Sequence, residues 1–593
     1  MRWLALGCLG SVGILAAVAA CGSDDAGGGK APGGVGASGS GSSSGSGGAS
    51  GSGGTVATGG TSATGGGSGS GGAAGTASGA CPLGIQSDTD VGQALPQSTV
   101  DTTYVVPTGK SVKVAAGGDL QAAIDAASPG DEIRLAPGAT FKGPFTLPKK
   151  TGDAVIVIRS DVADGELPAQ GQRIDPSYAS KLARVVVPAN VGSVIGTAPG
   201  AHHYRLLGLE VSPEPGAYVT NLIDLGSGAK SDAELPHQIV IDRCYVHGDP
   251  AKGARRGVAL NSKAAAVVDS WFADLKEAGA DSQAIAGWAG PGPFQIVNNH
   301  LEGAGENIMF GGADPKIANL VPSDITICGN HIVKPVAWKP QAFSEKNLFE
   351  LKNARRVLVA GNVLENNWAD AQVGFAVVLT PRNQDGSAPW STVEDLTFVY
   401  NIVRHTASGI NLAGEDNNHP SQQQQRIVIQ NNLFDDVNRD VWGGDGRVFQ
   451  LIAPAKPSLK VKIDHNTATT AGNAFLVMGD SVVVSLGARF TNNIVIKGDY
   501  GAFGSGKGEG TGALSFFMPD AVFANNAIVG ALAGSYPTGN HFPATVAAVG
   551  FKDAAAGDYS LLASSSYKGK GSDGKDLGAD MAGLTAAIAG VVK

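Results

Sequence analysis

A glutamate and a lysine stand two positions apart in the apolar stretch 348–352, and both side chains could carry acid–base chemistry. Within the sequence LFELK, Phe349 and Leu351 are the pair expected to face a core. Side chains alternate between the two faces of a strand, so Glu350 and Lys352 should lie together on the outer face. Held side by side, a carboxylate and an amine could transfer a proton, or could only form an exposed ion pair that stabilises neighbouring strands.

The charge around this pair is basic, although the whole chain is acidic. The formal net charge is -9 at pH 7, so nucleic acid is not an expected partner. The local balance is reversed, and an anionic ligand such as a uronic-acid polysaccharide would suit such a patch. The basic residues are Lys334, Lys339, Lys346, Lys352, Arg355 and Arg356, against Glu345 and Glu350.

Tryptophans are concentrated in the same part of the chain. Each stands beside glycine, proline or polar residues, and a flat aromatic ring next to polar groups suits the binding of a sugar ring. The alternative is that these rings anchor loops onto the folded body. We predict that a ligand contacts Trp338, Trp368, Trp390, Arg356 and Asn411.

A repeated phrase must position these residues in space. It consists of a short strand, a polar corner and a second short strand, and it returns about every 30 residues, which indicates a solenoid. Valine, isoleucine and phenylalanine alternate with polar residues within each phrase, so the repeating unit is built of strands. The alternative fold is a β-sandwich with asparagine-rich turns. The phrases are IVIDRCYV, AVVDSWFA, QIVNNHLE, TICGNHIV, VLVAGNVL, TFVYNIVR, IVIQNNLF, VKIDHNTA, RFTNNIVI and VFANNAIV.

Asparagine occupies the corner of most phrases, and an apolar or small residue follows two positions later. Asparagine tolerates left-handed backbone angles and its amide can hydrogen-bond to the backbone, so stacked corners should form an amide ladder. The residue two positions on should face the interior, beginning with Tyr245 and Phe272. The predicted corners are Arg243, Ser270, Asn299, Asn330, Asn362, Asn401, Asn432, Asn466, Asn493 and Asn526.

This repeat resembles the right-handed parallel β-helix of the pectin-lyase-like superfamily, from residue 117 to the C-terminus. Phrases such as ENIMFGGADP and LTPRNQDG are similar to those of a group of secreted bacterial β-helix proteins. The resemblance implies an all-β fold in which a helix at 119–128 closes the N-terminal end. The implied domains are an N-terminal lead-in over 81–116, the β-helix over 117–535 and an irregular C-terminal cap over 536–593.

The resemblance also implies a chemistry. Polysaccharide lyases of this fold remove a proton next to a uronate carboxyl group with a basic side chain, while a cation stabilises the developing enolate. By this resemblance Lys352 is the base, Arg382 clamps the carboxylate, and Glu350 with Asp385 binds calcium. We therefore expect an acidic polysaccharide as the partner, cleaved by β-elimination.

Two other functions stay open. The protein could be a non-catalytic module that binds glycans or mediates adhesion. It could also be a glycoside hydrolase, which needs two carboxylates facing each other across the scissile bond. The loop carboxylates that could meet above the coil of Glu350 are Asp370, Asp385, Glu415 and Asp416.

Long excursions from several coils indicate where a ligand would bind, because solenoids bind on the face that carries insertions. The segments GGADPKIANLVPSD, PRNQDGSAPWSTVED and GEDNNHPSQQQQ leave their coils at a similar position. The coil of Glu350 lies between the first two and turns directly through Asn353 into the next strand. This coil should form the floor of a cleft.

The N-terminal residues resemble an export signal with a lipid-attachment site. Residues 1–20 have a short basic start and an apolar run, and the sequence VAAC that ends in Cys21 is similar to a bacterial lipobox. We predict a signal peptide over 1–20, a lipid on Cys21 and an outer-membrane lipoprotein. Residues 21–80 are rich in Gly, Ser, Thr and Ala and should form a disordered tether. The lipid would be the only membrane contact, and we expect a monomer.

The cysteines beyond the predicted lipid site are Cys81, Cys244 and Cys328. Cys244 and Cys328 stand about three coils apart, which is too far for a bridge at a coil spacing of about 4.8 Å. We therefore expect no disulfide framework. Neither the cysteines nor the histidines have the spacing of a zinc motif.

Overall fold

Three long parallel sheets wind around a common core in this protein. The computed structural model describes residue 81, residues 84–479 and residues 482–592. The chain visits the sheets in turn and pairs each strand with strands of the adjoining coils, so the architecture is the predicted right-handed parallel β-helix. Within the described residues, no helix has the length and apolar character needed to cross a membrane. The predicted signal peptide, Cys21 and the tether over 21–80 lie outside the described residues.

Sheet A has 15 strands, and sheets B and C have 13 each. Sheet A comprises Ser111–Val114, Glu132–Leu135, Ile156–Ser160, His202–Leu207, His237–Asp242, Lys263–Val268, Phe294–Val297, Ser323–Cys328, Ala354–Ala360, Val393–Val399, Gln425–Gln430, Ser458–Asp464, Ser485–Leu486, Arg489–Thr491 and Val522–Ala524. Sheet B comprises Thr140–Lys142, Ala183–Val187, Leu209–Pro213, Tyr245–His247, Trp271–Ala273, His300–Glu302, His331–Val333, Val363–Asn367, Ile402–Thr406, Leu433–Asn438, Thr467–Ala471, Ile494–Ile496 and Ala527–Val529. Sheet C comprises Phe145–Leu147, Ser193–Thr197, Asn221–Leu225, Arg256–Leu260, Gln283–Gly287, Glu306–Phe310, Asn347–Leu351, Phe375–Leu379, Ser408–Ala413, Arg447–Ile452, Ala474–Met478, Ala502–Gly504 and, antiparallel, Gly508–Glu509.

Short elements fill the ends and loops. A small antiparallel pair, Phe551–Asp553 with Asp558–Leu561, lies near the C-terminus. The α-helices are Leu120–Ala126, Arg439–Trp442, Thr511–Phe517 and Met581–Ala587. The 3-10 helices are Asp164–Glu166, Pro176–Lys181, Asp232–Glu234, Val336–Trp338, Ala533–Ser535, Val546–Val549 and Ala554–Ala556.

The interior is filled by columns of apolar side chains that repeat from coil to coil. In sheet B the register pairs Phe272 with Leu301, Leu301 with Ile332, and Ile332 with Leu364. All four belong to one continuous core and have no exposed surface. Burial of each such side chain contributes about 2 kcal/mol, which one isolated coil could not gain. The coils are therefore stable only when stacked.

Tyr245, predicted as the first residue of the inward column, does not face the core. Val246 pairs with Phe272 and is buried, whereas Tyr245 pairs with Trp271 and is half-buried on the outer face. In this coil the corner residue lies one position later than predicted, so the inward residue also lies one position later. Side chains alternate along a strand, so a shift of one residue exchanges the two faces.

The predicted amide ladder is present at the corner between sheets A and B. Asn362 Oδ1 accepts from the backbone N–H of Asn330 at 2.9 Å and from its Nδ2 at 3.0 Å. Asn362 Nδ2 donates in turn to the carbonyl of Ile327 at 2.9 Å and to Asn401 Oδ1 at 3.0 Å. Each amide thus satisfies a buried backbone N–H. The same bonds join Asn299, Asn330, Asn362, Asn401, Asn432, Asn466, Asn493, Asn526 and Asn540.

Two details of the corner differ from the prediction. The ladder begins at Cys244, whose N–H donates to Ser270 Oγ at 3.0 Å. Arg243 is therefore not a ladder residue. The left-handed backbone belongs to the residue before each ladder position, such as Asn298 at φ 57° and Tyr400 at φ 53°. Asparagine therefore serves in the ladder through its amide rather than through its backbone freedom.

A short helix closes the N-terminal end of the core, as predicted. Leu120–Ala126 follows Asp119, whose side chain caps the helix by accepting from the backbone N–H of Ala122 at 2.9 Å. Leu120 and Ile124 are buried against the first coils. The helix covers an apolar interior that would otherwise face water.

The N-terminal segment lies along the outer face of sheet A. We call residues 84–104 the strap. Gln93 Nε2 of the strap donates to Thr397 Oγ1 at 3.0 Å, and Arg205 Nη2 donates to the carbonyl of Thr102 at 2.7 Å. These contacts span many coils, so the strap ties distant parts of sheet A together.

A disulfide bond between Cys81 and Cys328 fastens the strap. The expectation of no disulfide is therefore wrong. The coil-stacking argument compared Cys244 with Cys328, whereas Cys81 reaches Cys328 from 247 residues away along the outside of sheet A. Cys244 is a free, buried thiol at the ladder corner.

The C-terminal segment covers part of sheet B. Beyond Tyr536 the chain runs back along the outside, where Leu584 packs with Val363 and Ile402. At its end, the carbonyl of Val591 accepts from Arg173 at 2.9 Å. Sheets A and B are thus both overlaid by terminal segments of the chain.

Replacing one ladder asparagine should destabilise the whole protein. Asn362→Ala leaves the backbone N–H of Asn330 buried without an acceptor, so we expect the free energy of unfolding to fall by about 2–4 kcal/mol. Urea unfolding followed by circular dichroism measures the loss. The control Asn418→Ala, in an exposed loop, should change stability by less than about 0.5 kcal/mol. Equal stability of the two variants would contradict this role of the ladder.

Candidate functional site

Glu350 and Lys352 lie side by side on the outer face of sheet C, as the alternation predicts. Phe349 and Leu351 are in the core, and Glu350 is in register with Met309 on the neighbouring strand. Lys352 Nζ is 3.7 Å from Glu350 Oε2. The pair is not exposed, because only 2% of Glu350 and 6% of Lys352 is accessible to solvent. Charges this buried interact more strongly than a surface ion pair does.

Further charged side chains surround this pair. Lys346 Nζ forms an ion pair with Asp281 and lies 3.9 Å from Glu306 Oε1. Gln283 Nε2 donates to Glu306 Oε2 at 2.7 Å. Burial raises the pKa of the Glu306 carboxyl, and two neighbouring carboxylates raise it further. The charge cluster comprises Asp281, Glu306, Lys346, Glu350 and Lys352.

Sequence reasoning missed Glu306 and Asp281 as site residues. The register pairs Gln283 with Glu306 and Glu306 with Asn347, so a polar residue opens successive strands of sheet C. Alignment of the coils by their asparagine corners would reveal that recurrence. Glu306 could have been predicted from this recurrence. Asp281 could not, because it belongs to a loop that does not repeat.

Within the described residues, Glu306 Oε1, Glu350 Oε2 and Asn347 Oδ1 have no hydrogen-bond donor although they are buried. Asn347 is in register with Glu306, and Glu350 follows Asn347 on the same strand. Carboxylate and amide oxygens are the ligands that calcium prefers. The predicted second ligand, Asp385, is not among them, because it is exposed and its backbone N–H donates to Asp314.

The predicted excursions form a wall along one side of sheet C. Arg382 Nη1 is 3.0 Å from Asp416 Oδ1, while the backbone N–H of Arg382 donates to the carbonyl of Lys352 at 2.8 Å. The backbone N–H of Ser387 donates to Asp314 Oδ2 at 2.8 Å. Arg382 therefore starts beside the coil of Lys352, but its guanidinium pairs with Asp416. The loops of this first wall are 311–322, 380–392 and 414–424.

A second wall borders the other side of sheet C. Trp338 and Trp368 pack in one apolar cluster of this wall and are only 4% and 3% exposed. Both rings anchor loops, and their contact with a ligand stays a prediction. The backbone N–H of Ala369 donates to the carbonyl of Trp442 at 3.0 Å and joins two of these loops. The loops of the second wall are 274–282, 334–346, 368–374 and 439–446.

Lys334 and Glu345, counted with the basic patch, are buried inside the second wall. Lys334 Nζ is 3.5 Å from Glu345 Oε2 and donates to the carbonyls of Gly303 and Ala304 at 2.7 and 2.6 Å. Burial lowers the pKa of Lys334 and raises the pKa of Glu345 to about 7, so desolvation outweighs the attraction between them. Neither side chain is placed to meet a large anionic ligand.

Of the other three predicted contacts, one lies on a different sheet. Arg356 is on sheet A and donates to both carboxylate oxygens of Asp324 at 2.7 and 2.9 Å. Gln97 of the strap donates to the same carboxylate at 2.9 Å, so Arg356 lies on sheet A beneath the strap and not on sheet C with the charge cluster. Asn411 does lie on the outer face of sheet C, two strands from Glu350 and half-buried.

The loop carboxylates that a glycosidase would need have separate partners. Asp385 is exposed, and each of the others is bonded to a different residue. The partners are Glu345 N–H for Asp370, Lys456 for Glu415 and Arg382 for Asp416. This arrangement gives no support to a facing pair above Glu350.

Trp390 lines an open groove between the first wall and sheet A. Its Nε1 donates to the carbonyl of Leu320 at 3.0 Å, which fixes the ring while part of it stays exposed. The groove has a volume of about 470 Å³. Its lining includes Trp390, Arg355, Glu394, Gln422, Gln423 and Gln425.

Neither the known family models nor the curated proteins include a match to this chain. Solved structures resemble it. The PL6 family alginate lyase AlyGC is 12% identical with a TM-score of 0.38, over 72% of this chain and 53% of its own, so the chain spans about half the length of AlyGC. The catalytic unit of the GH87 alpha-1,3-glucanase from Streptomyces thermodiastaticus is 12% identical with a TM-score of 0.37, over 76% of this chain and 72% of its own. The alginate lyase AlyF-OU02 is 12% identical with a TM-score of 0.37, over 75% and 90%.

The fold follows from the sheets described above. The class of the protein is that of the right-handed parallel β-helix.

The stability of the protein should depend on pH through Glu345. Its pKa is about 7 in the folded protein, against an ordinary value of 4.5, so the unfolded chain releases this proton at lower pH. Stability should therefore fall as the pH rises between these two values, with a slope for this group approaching about 1.4 kcal/mol per pH unit. Urea unfolding across this range should show a flatter dependence for Glu345→Gln than for the wild type.

The control for this experiment is Asp576→Asn in the C-terminal segment. Burial raises the pKa of Asp576, but its hydrogen bonds with Lys568 and the backbone N–H of Gly569, together with nearby positive charge, outweigh this, so the pKa lies below its ordinary value. This group titrates at more acidic pH, so its removal should leave the slope near neutrality unchanged. If Glu345→Gln also leaves that slope unchanged, the carboxyl is not held protonated by burial.

Proposed function

We propose that the protein binds an acidic, uronate-containing polysaccharide along the outer face of sheet C and cleaves it by β-elimination. The charge cluster on the floor between the two walls is the observation that carries the proposal. It holds the amine of Lys352 beside several carboxylates outside the apolar core. Concentrations of charge with perturbed pKa values are typical of functional sites.

In the proposed reaction Lys352 is the base. Its amine, once neutral, takes the proton next to the carboxyl group of a uronate ring, the electron pair forms a carbon–carbon double bond, and the bond to the glycosidic oxygen breaks. The leaving oxygen takes up a proton, so no co-reactant is needed. Glu350 positions Lys352 from 3.7 Å. Arg382 would leave Asp416 and pair with the uronate carboxylate, whose charge it would neutralise.

We propose calcium as the ion at this site, and three buried oxygen atoms support it. Glu306 Oε1, Glu350 Oε2 and Asn347 Oδ1 are buried without donors and would hold the ion. When bound, calcium would stabilise the negative charge that develops on the uronate. Its charge would also offset the repulsion between the two glutamates.

We further propose that the protein is a monomeric lipoprotein of the outer membrane. The sequence VAAC, ending at Cys21, supports a lipid anchor, and residues 21–80 supply a long polar tether. A Gly- and Ser-rich tether of this length would let the β-helix reach a polymer away from the membrane surface.

A non-catalytic glycan-binding module is the second candidate function. The low exposure of Glu350 and Lys352 favours it, because a base must contact its substrate. The groove beside Trp390 favours it as well. An aromatic ring next to Arg355 and glutamines suits sugar binding without chemistry.

Incubation with alginate, pectate or glycosaminoglycans should increase the ultraviolet absorbance, because the elimination product has a new double bond conjugated to its carboxylate. Lys352→Met should lower the initial rate at least about 100-fold by removing the base. Lys552→Met, at an exposed lysine of the C-terminal segment, is the matched control and should keep the full rate. Removal of calcium with a chelator should lower the rate if the unpaired oxygens hold that ion.

The double variant Glu350→Gln/Lys352→Met separates loss of chemistry from loss of folding. It removes both members of the pair, so no unpaired charge stays buried, and it should be folded but inactive. Full activity of Lys352→Met would refute the site but not the reaction. Retained binding with no absorbance change on any of these polymers would refute cleavage and support the binding module.

Binding of oligosaccharides in the groove should depend on Trp390. Trp390→Ala removes the exposed ring, and we expect the Kd measured by calorimetry to rise about tenfold, since stacking of this kind contributes about 1.4 kcal/mol. Tyr500→Ala, at an aromatic residue that is 56% exposed elsewhere, should leave the Kd unchanged. An unaltered Kd for Trp390→Ala would rule out the groove as the binding surface.

A further inference from the structure

Two histidines and an aspartate form a cluster on the first coils, away from the charge cluster. One ligand atom from each of Asp153, His202 and His203 lies within 4.8 Å of the others. Among the described residues, no other group of three or more His, Cys, Asp or Glu side chains is this close. No zinc motif predicted it, because two of its members are adjacent in sequence and the third comes from another coil.

The backbone places both imidazoles on the same side of the strand. Successive side chains of a strand normally point to opposite faces. His203 interrupts this alternation, because its φ of 58° is in the left-handed region. The same register position is left-handed in the next two coils, at Gln238 with φ 53° and Ala264 with φ 46°. The kink is therefore a feature of sheet A, and in this coil histidines occupy it.

Hydrogen bonding leaves a nitrogen lone pair of His202 directed at His203. His202 Nε2 is 3.0 Å from the carbonyl oxygen of Lys150, which can only accept, so Nε2 carries the hydrogen. In the neutral ring Nδ1 is then unprotonated, and it lies 2.7 Å from Nδ1 of His203. Metal-binding histidines are commonly oriented by a backbone carbonyl in this way. The ring of His237 stacks on His202 with 4.7 Å between centroids and fixes its plane.

We propose that Asp153, His202 and His203 bind a divalent metal ion of the zinc class. Two imidazole nitrogens and a carboxylate oxygen are ligands that suit zinc, and water would complete a tetrahedral set. Bonds of about 2.0–2.1 Å place two such nitrogens roughly 3.4 Å apart. Small rotations of the two rings provide that separation. The proton shared between the two Nδ1 atoms is released as the ion binds.

The ion would brace the closed end of the β-helix. Asp153 belongs to the loop between sheets C and A, and the hydroxyl of Tyr204 donates to the carbonyl of Pro148 in the same loop at 2.7 Å. Lys150 Nζ of this loop donates to the carbonyl of Asp125 in the capping helix at 2.7 Å. A metal that joins the loop to His202 would therefore hold the capping helix against the first coils.

Equilibrium dialysis against zinc with elemental analysis tests the site, with the full chain purified without a histidine tag. We expect one zinc ion per chain, and we expect Asp153→Asn and His203→Asn each to weaken binding at least tenfold. Asparagine keeps the shape of aspartate and tolerates the left-handed backbone of His203. His419→Asn, in an exposed loop, is the matched control and should bind zinc like the wild type.

Thermal unfolding gives a second readout. Zinc should raise the Tm of the wild type by mass action and leave the Tm of Asp153→Asn unchanged. Both proteins should unfold alike in a chelator, which would show that the substitution itself leaves the fold intact. The proposal is overturned if the wild type binds no zinc at micromolar concentrations. It is also overturned if both variants keep the wild-type affinity, since the ion would then lie elsewhere in the chain.

Discussion

The amide ladder between sheets A and B is the interaction on which the rest of the structure depends. A sharp corner buries backbone N–H groups that strand pairing does not reach. The side chain of each ladder asparagine accepts from the previous coil and donates to the next, so a coil cannot slip by one residue without breaking bonds on both sides. The register fixed at this corner extends around each coil. It keeps Glu306 beside Asn347 on sheet C, where the charge cluster lies.

The outer faces of the three sheets are covered by different parts of the chain. The strap covers sheet A, where the Asp324 carboxylate accepts from both Arg356 and Gln97 and is fully satisfied. The C-terminal segment covers part of sheet B with apolar contacts to Leu584. Sheet C is bordered by two walls of loops, and on its floor Glu306 and Glu350 keep oxygen atoms without donors. Buried polar atoms without a partner are uncommon in folded proteins, and these two lie beside the lysines of the charge cluster.

The coil-level features could be predicted from sequence because they repeat. The asparagine corner, the inward column after it and the outer position of Glu350 and Lys352 follow from one alternation copied from coil to coil. Tyr245 was misplaced where a cysteine replaces asparagine in the ladder, since a thiol gives no corner signal. Features formed between distant segments could not be predicted in this way. The Cys81–Cys328 bond, the covering of Arg356 and the burial of Trp338 depend on what lies over a coil, and a single repeat does not encode it.

The strap also limits how this β-helix can change in length. Repeat proteins readily gain or lose units, because each unit contacts only its neighbours. Here Asp88 is held by Lys462, Ala94 by Asp395 and Thr102 by Arg205, on coils far apart along the axis. Inserting one coil between any two of these anchors would displace them by about 4.8 Å, and the strap would no longer reach both. The strap acts as a ruler, because a change in the number of coils beneath it would break its anchors, whereas a change in the length of a wall loop would leave them in place.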